Sequence, residues 1–359
     1  MRIIQIMPTI SYGDAVGNDA LAIKKVISEM GYQTGIYAEN IDARVKDSDV
    51  YQISQLPELK DEDIIIFNHS TGTDLCDSLP KLKGRKMMIY HNITPPHFFS
   101  GYSAPAKSLT LKGYDGTSRL SSEISYVMAD SEYNLSDLRK MGYQCPMTVR
   151  PILIPFDDYK AQPDENIINK YGGDDCVNIV FVGRIAPNKK QEDIIAAFAY
   201  YKKYVNPNSR LILVGSYGGM EKYYDCLKHY SDIIAPNDVI YTGHIPFSQI
   251  LAYYHIADVF LCMSEHEGFC VPLVEAMYFN VPIIAYSSSA IPDTLGGCGI
   301  LTDDKDPVLT ALLIDRVIKD KKLREEIISG QSERLRDFEY SKIRRCFVEQ
   351  LQAFIDRNI

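Results

Sequence analysis

Short runs rich in Ile, Val, Leu and Met recur along the chain at 3–7, 34–37, 64–67, 87–90, 126–128, 148–152, 178–182, 210–214, 239–241, 259–262 and 282–285. Most show little polar alternation, the pattern of parallel strands buried on both faces. Helical spacing fills the gaps. Over 19–30, for example, Ala22, Ile23, Val26, Ile27 and Met30 fall on one stripe. Strand and helix in alternation predict parallel α/β sheets with right-handed crossovers. The series restarts at Asn178, after a stretch with three prolines at 151–163 that reads as a linker. A last helix is expected over 341–356, capped by Ser341, with Ile343, Phe347, Leu351, Phe354 and Ile355 on one apolar face. That face must dock, and the pattern alone does not say on which domain.

A length of 359 residues suits two domains of ordinary size. With 46% hydrophobic and 24% charged residues the composition is globular. The net charge of −9 divides into −3 up to residue 160 and −6 beyond it. Neither half has the basic footprint of a nucleic-acid binder, so no nucleic-acid partner is expected. Eight scattered cysteines form no zinc spacing and read as small core residues of a reducing compartment. The first ten residues lack the pattern of a signal peptide, and no apolar run approaches the ~18 residues that span a bilayer. The expectation is a soluble, cytoplasmic chain.

Ligands of open parallel sheets bind beyond the carboxyl ends of the strands, so chemistry is sought there. The loop after the first strand, 11–18, holds Gly13 and Gly17 and opens a helix near Asn18; free N–H groups there could attract phosphate, and an ordinary turn capped by Asn18 is an equal reading. After the strand at 178–182 come Gly183, Arg184, Lys189 and Lys190, leading into a helix at 191–204. Arg184 could grip an anion as a fork and Lys189 as a point charge; a solvated charge run is the alternative. After the strand at 259–262 comes the run Ser264 to Met277, with Glu267 in a loop, Pro272 opening a helix and Glu275 in its first turn. Helix-start N–H groups suit phosphate oxygens and carboxylates suit polyol hydroxyls, the mixture a sugar phosphate needs. Glu265, His266 and Glu267 lack the partners that would complete a metal site. Two D-x-D look-alikes, Asp61–Asp63 and Asp304–Asp306, read as solvated charges. His91, at the carboxyl end of the strand at 87–90, can touch a ligand or sit satisfied in a turn. Lys81, Lys83, Arg85 and Lys86 could lean on anionic lipid, though a solvated loop is favoured.

The E-G-F-x-x-P-L-x-E-A-M run at 267–277, with its Glu-x7-Glu spacing, resembles the family 4 retaining glycosyltransferases. So do Gly183-Arg184 with Lys189 five residues on, the glycine loop, His91, Ser131-Glu132 and Gly243-His244. The segment 90–102 is similar to bacterial members that build surface polysaccharides. This resemblance implies the GT-B fold: two Rossmann-like parallel-sheet domains facing a cleft, the terminal helix crossing back to the first. The implied domains are 1–155 with 341–359, on the acceptor side, and 156–340, binding the nucleotide sugar. Donor binding would then close the lobes about hinges at 152–163 and the start of the last helix.

The resemblance further implies that Arg184 and Lys189 hold the donor diphosphate in place of a metal, with no cofactor. Glu275 would accept from ribose hydroxyls. Glu267 would bind the transferred sugar, with the Gly268, Phe269, Cys270 and Val271 backbone on sugar and phosphate. Gly17 and Asn18 would approach the diphosphate, His91 the reacting sugar, and the backbone at Ile245 the base. Cys270 stands where Gly is common, which argues against a positive φ there, and Val16-Gly17-Asn18 replaces a paired glycine. The implied partners are a nucleotide-sugar donor and a carbohydrate or lipid-linked glycan acceptor, with peripheral membrane contact left open. A GT-B-like epimerase and a non-catalytic two-domain binding protein are the alternatives.

Overall fold

A computed structural model describes residues 1–11 and 13–356; Tyr12, in the first glycine loop, and residues 357–359 lie outside the described residues. Contacts divide the chain into two compact units: Met1–Pro96, Pro105–Phe156 and Phe338 onward in the first, His97–Ala104 and Asp157–Asp337 in the second. Each is built on one parallel sheet.

In the first unit the strands are β1 (Ile3–Ile10), β2 (Ile36–Ile41), β3 (Val50–Gln52), β4 (Ile64–His69), β5 (Arg85–Tyr90), β6 (Tyr126–Ala129) and β7 (Met147–Val149). Their spatial order is β3-β2-β1-β4-β5-β6-β7, every neighbour parallel. The order reverses between β1 and β4, the place where such sheets hold ligands. Ile3, Ile64, Ile66, Met87 and Ile89 point to one face, where Ile23, Val26 and Ile27 of the helix Ala15–Glu29 cover them. Ile343, Phe347, Leu351 and Phe354 of the terminal helix Tyr340–Ile355 complete that core. The last helix therefore belongs to the first unit. Its cap is Glu339 rather than Ser341, because the helix begins one residue before the expected cap. The Arg85 guanidinium lies 4.0 Å over the Phe354 ring.

In the second unit β8 (Val177–Val182), β9 (Ser209–Val214), β10 (Val239–Tyr241), β11 (Val259–Cys262), β12 (Ile283–Tyr286) and β13 (Ile300–Thr302) follow the order β10-β9-β8-β11-β12-β13. All are parallel. The reversal here lies between β8 and β11.

Several expectations are corrected. The run at 34–37 enters the sheet only at Ile36, and β7 ends at Val149, short of Ile152. The helix expected from residue 19 starts at Ala15, capped by Asp14, so Asn18 is not its cap: the Asn18 N–H already bonds Asp14 O at 2.9 Å. Of the cysteines, all free, Cys76, Cys262 and Cys270 are buried while Cys226 is exposed. Of the two D-x-D segments, Asp61, Asp304 and Asp306 are exposed as expected, and Asp63 departs from the expectation. Asp306 caps the helix Pro307–Lys319, accepting from Val308 and Leu309 N–H.

Asp63 is buried and accepts from the Arg2 backbone at 2.7 Å and from Arg2 Nη2 at 2.6 Å. Burial works against its charge, but Arg2 and the Lys60 N–H hold the Asp63 pKa down to about 2. A depressed carboxyl contributes stability that is present above the unfolded pKa and lost as pH falls toward the folded one. Asp63→Asn is therefore expected to cost about 2 kcal/mol at pH 7, a difference that shrinks between about pH 5 and pH 2. Denaturant unfolding of both proteins across that range measures it.

Candidate functional site

The second unit gathers candidates where its sheet order reverses. The loop after β8 is drawn against the loop after β9 by two glycines. Gly215 has φ 152°, and a Cβ there would come within 2.0 Å of Gly183 O. This close approach lets Ile185 N–H reach Ser216 O at 2.9 Å. It also lets Arg184 Nη2 donate to Gly218 O at 2.8 Å. Arg184 is thus an exposed cation fixed by a backbone carbonyl.

Five residues on, Lys189 closes a single 3-10 turn, Pro187–Lys189, and Lys190 takes a left-handed conformation before the helix Gln191–Tyr204. The lysines therefore precede the helix rather than occupy its first turn. Asn188 stitches this loop to the one after β11: its side chain donates to His266 O at 2.9 Å, and its carbonyl accepts from Glu265 N–H at 2.8 Å. The Lys189 ammonium bonds the Glu267 carboxylate. Burial works against the ammonium, but the Glu267 charge outweighs it and raises the Lys189 pKa. Glu265, by contrast, is taken by Lys190 at 3.6 Å and Lys305 at 2.8 Å.

Cys270 adopts φ 73° and caps the helix Val271–Tyr278. The positive φ argued against from sequence is present. The loop must turn sharply to start a helix at Val271, and the buried thiol lies beside Cys262. Cys262 Sγ, Cys270 Sγ and a Glu267 oxygen lie within 4.8 Å of one another. Such donors suit a soft divalent ion, yet Glu267 already carries the Lys189 ammonium. Glu267 N–H donates to Ser289 Oγ at 2.8 Å, and Thr294 Oγ1 donates to Phe269 O, which fixes the backbone through Gly268.

Glu275 falls past the first helical turn, at the fifth residue of its helix. Both its oxygens are engaged: Oε1 accepts from Tyr159 OH at 3.0 Å and Oε2 from Tyr254 OH at 2.7 Å. Burial raises its pKa, against the pull of the two phenols. Each oxygen keeps a lone pair for a further hydroxyl. Sequence reasoning missed both tyrosines, which lie 116 and 21 residues away. Tyr254→Phe removes one donor from a carboxylate and is expected to cost about 1.5–3 kcal/mol, measurable by denaturant unfolding. Ile245 is half-buried in the loop between β10 and the helix Phe247–His255.

The remaining candidates belong to the first unit. Gly17 is buried in the first turn of the helix Ala15–Glu29, where a Cβ would meet Ser11 O at 2.7 Å; close packing of the helix on its own loop requires glycine. His91 is buried at the end of β5, with Nδ1 2.9 Å from Asp130 Oδ2. Beside it Arg150 donates to both oxygens of Asp19, at 2.9 and 2.6 Å, and Leu153 N–H to Asp19 Oδ1 at 2.8 Å. Asp19, Asp130 and Arg150 were not singled out in the sequence. Ser131 caps the helix Glu132–Lys140, accepting from Asn134 N–H.

Among the described residues no helix is long and apolar enough to cross a membrane. Lys81 and Lys83 are exposed, whereas Arg85 and Lys86 are half-buried in β5.

Residues 164–334 match the family model of glycosyl transferases group 1. A GDP-mannose-dependent alpha-(1-6)-phosphatidylinositol monomannoside mannosyltransferase of Mycolicibacterium smegmatis is 28% identical over 54% of this chain and 53% of its own. The O-antigen chain mannosyltransferase B of Escherichia coli is 24% identical over 49% and 45%. The matches span about half the length of these curated relatives. Among solved structures, Anabaena HepE in complex with UDP-glucose superposes with a TM-score of 0.77 at 17% identity, covering 98% of this chain and 100% of that one. Sucrose-phosphate synthase of Thermosynechococcus elongatus gives 0.77 at 15% identity, covering 99% and 100%. These likenesses establish the GT-B fold. The family match encloses Arg184, Lys189, Glu267 and Glu275.

Proposed function

We propose that the protein is a retaining, metal-independent glycosyltransferase. It moves a hexose from a nucleotide-diphosphate sugar to a glycan or lipid-linked glycan acceptor in surface polysaccharide synthesis. The observation that carries the reading is the Lys189–Glu267 pair, which joins a cation and a carboxylate from the two loops flanking the sheet reversal. A diphosphate needs the first and a sugar hydroxyl the second. The curated relatives named above are mannosyltransferases, and HepE binds UDP-glucose, which supports a nucleotide-sugar donor and leaves the base open.

In this mechanism the bond between the anomeric carbon and the phosphate oxygen breaks, its electron pair leaving with the diphosphate. Arg184 and Lys189 stabilise the charge that grows there, an interaction stronger in the transition state than in the ground state. The sugar passes through an oxocarbenium-like state. The acceptor hydroxyl then adds on the same face and yields its proton to the leaving phosphate. Glu267 positions Lys189 and accepts from sugar hydroxyls, while Glu275 serves the ribose. The enzyme works at the cytoplasmic side of the membrane, with Lys81 and Lys83 available for peripheral contact.

The test is release of nucleoside diphosphate from UDP-glucose and GDP-mannose with and without a lipid-linked glycan extract. The reading requires release that rises with acceptor and a product of retained anomeric configuration. Release of free nucleotide that is indifferent to acceptor favours an epimerase or a hydrolase instead.

A further inference from the structure

Four ionisable side chains lie together in the interior of the first unit, contributed by four separate elements. Asp19 comes from the helix Ala15–Glu29, His91 follows β5, Asp130 follows β6, and Arg150 follows β7. The side chains of Asp19 and Arg150 are fully buried, and those of His91 and Asp130 are 1% exposed. Asp19 and Arg150 neutralise each other through two hydrogen bonds. Asp130 remains, with His91 as its partner at 2.9 Å. Two carboxylates against one guanidinium leave one negative charge, and a buried uncompensated charge is costly. Protonation of His91 brings the cluster to zero.

The other ring nitrogen has a different fate. His91 Nε2 is buried without a hydrogen-bond partner, and the nearest carboxylate oxygen, Asp19 Oδ2, is 4.0 Å away, beyond hydrogen-bond reach. Asp19 cannot turn to it without abandoning Arg150 and the Leu153 N–H. We propose that Asp130 is a positioning residue for His91: it holds the ring as an imidazolium whose Nε2–H is kept unspent for an oxygen of a ligand bound at the carboxyl end of this unit's sheet. This deepens the glycosyltransferase reading and rests on it. Asp130 itself does not touch the reacting atoms.

The charged and titratable groups facing His91 are Asp130, Asp19, Arg150, Asp14 and His69. Burial and Arg150 disfavour the imidazolium, while Asp130 and then Asp19 favour it; the sum is upward. His69 is an internal contrast. It is equally buried and has no carboxylate, only Thr117 Oγ1 at 2.7 Å, and its pKa falls to about 3.

The experiment uses the full chain labelled with ¹⁵N-histidine, the His91 ring signals being assigned by their loss in His91→Gln. The expected spectrum shows both ring nitrogens protonated at pH 7, with His69 a neutral ring. In Asp130→Asn the His91 ring should become neutral at pH 7. Turnover should fall about 10- to 100-fold, the range of a charge-assisted hydrogen bond, with little change in donor KM. A neutral His91 ring in the unaltered protein overturns the proposal, and so does an Asp130→Asn protein that keeps the imidazolium. Because the first measurement needs no variant, misfolding of Asp130→Asn leaves it decisive. Absence of turnover with every donor would sink the glycosyltransferase reading while the ring spectrum still judges the role of Asp130.

Discussion

Replacing Lys189 with alanine is expected to lower turnover about 10²–10³-fold, the cost of removing one preorganised group from a developing negative charge. The loss is expected in kcat more than in donor KM, because the phosphate charge is greatest when the glycosidic bond is broken. The ammonium sits on Glu267, so its position is set before any ligand arrives. Lys189→Arg tests charge against placement. It keeps the cation but has a planar fork where the structure offers one carboxylate and a compact site, so it should recover only part of the activity. Steady-state kinetics with both variants and a fixed donor decide this. Equal kcat in Lys189→Ala and the unaltered protein would remove Lys189 from the mechanism.

The largest stability effect is expected at Asp19. Asp19→Ala strips Arg150 of its two hydrogen bonds to a carboxylate and Leu153 N–H of its acceptor, all in the interior. A buried cation left without its partner costs about 3–5 kcal/mol. For a domain of this size that corresponds to a fall of about 6–20 °C in the unfolding midpoint. Replacing the pair together, as Asp19→Leu with Arg150→Met, removes the orphaned charge and should recover most of the loss. Calorimetry of the single and double variants measures the coupling. A double variant no more stable than Asp19→Ala would show that the guanidinium is not the source of the cost.

What was legible in the sequence follows from burial. Strands covered on both faces must be apolar throughout, so β8, β11 and their neighbours announced themselves. All four edge strands have three residues; β7 and β10 were read from the sequence, whereas β3 and β13, which carry Tyr51, Gln52 and Thr302, were not. Gly17 read as a loop residue because glycine is rare inside helices, yet it is there so that the helix can press on Ser11. The left-handed Cys270 was hidden because its reason is three-dimensional. Its thiol sits beside Cys262, while the carbonyl before it is tied by Thr294. The same holds for Tyr159 and Tyr254 on Glu275. Local spacing exposed Arg184, Lys189 and Glu267, which lie in loops following two strands. The quartet of Asp19, His91, Asp130 and Arg150 is assembled by sheet order, and residues 131 positions apart leave no local pattern.

The most direct test of the account is calorimetric titration of UDP and of GDP into the protein in excess EDTA. The measurement is repeated with Mg²⁺ and with the Arg184→Ala/Lys189→Ala double variant. The account predicts that one of the two nucleotides binds in EDTA with the same affinity as in Mg²⁺, and that the double variant loses that binding at least tenfold. Binding that requires the metal, or that is unchanged when both cations are removed, would contradict it.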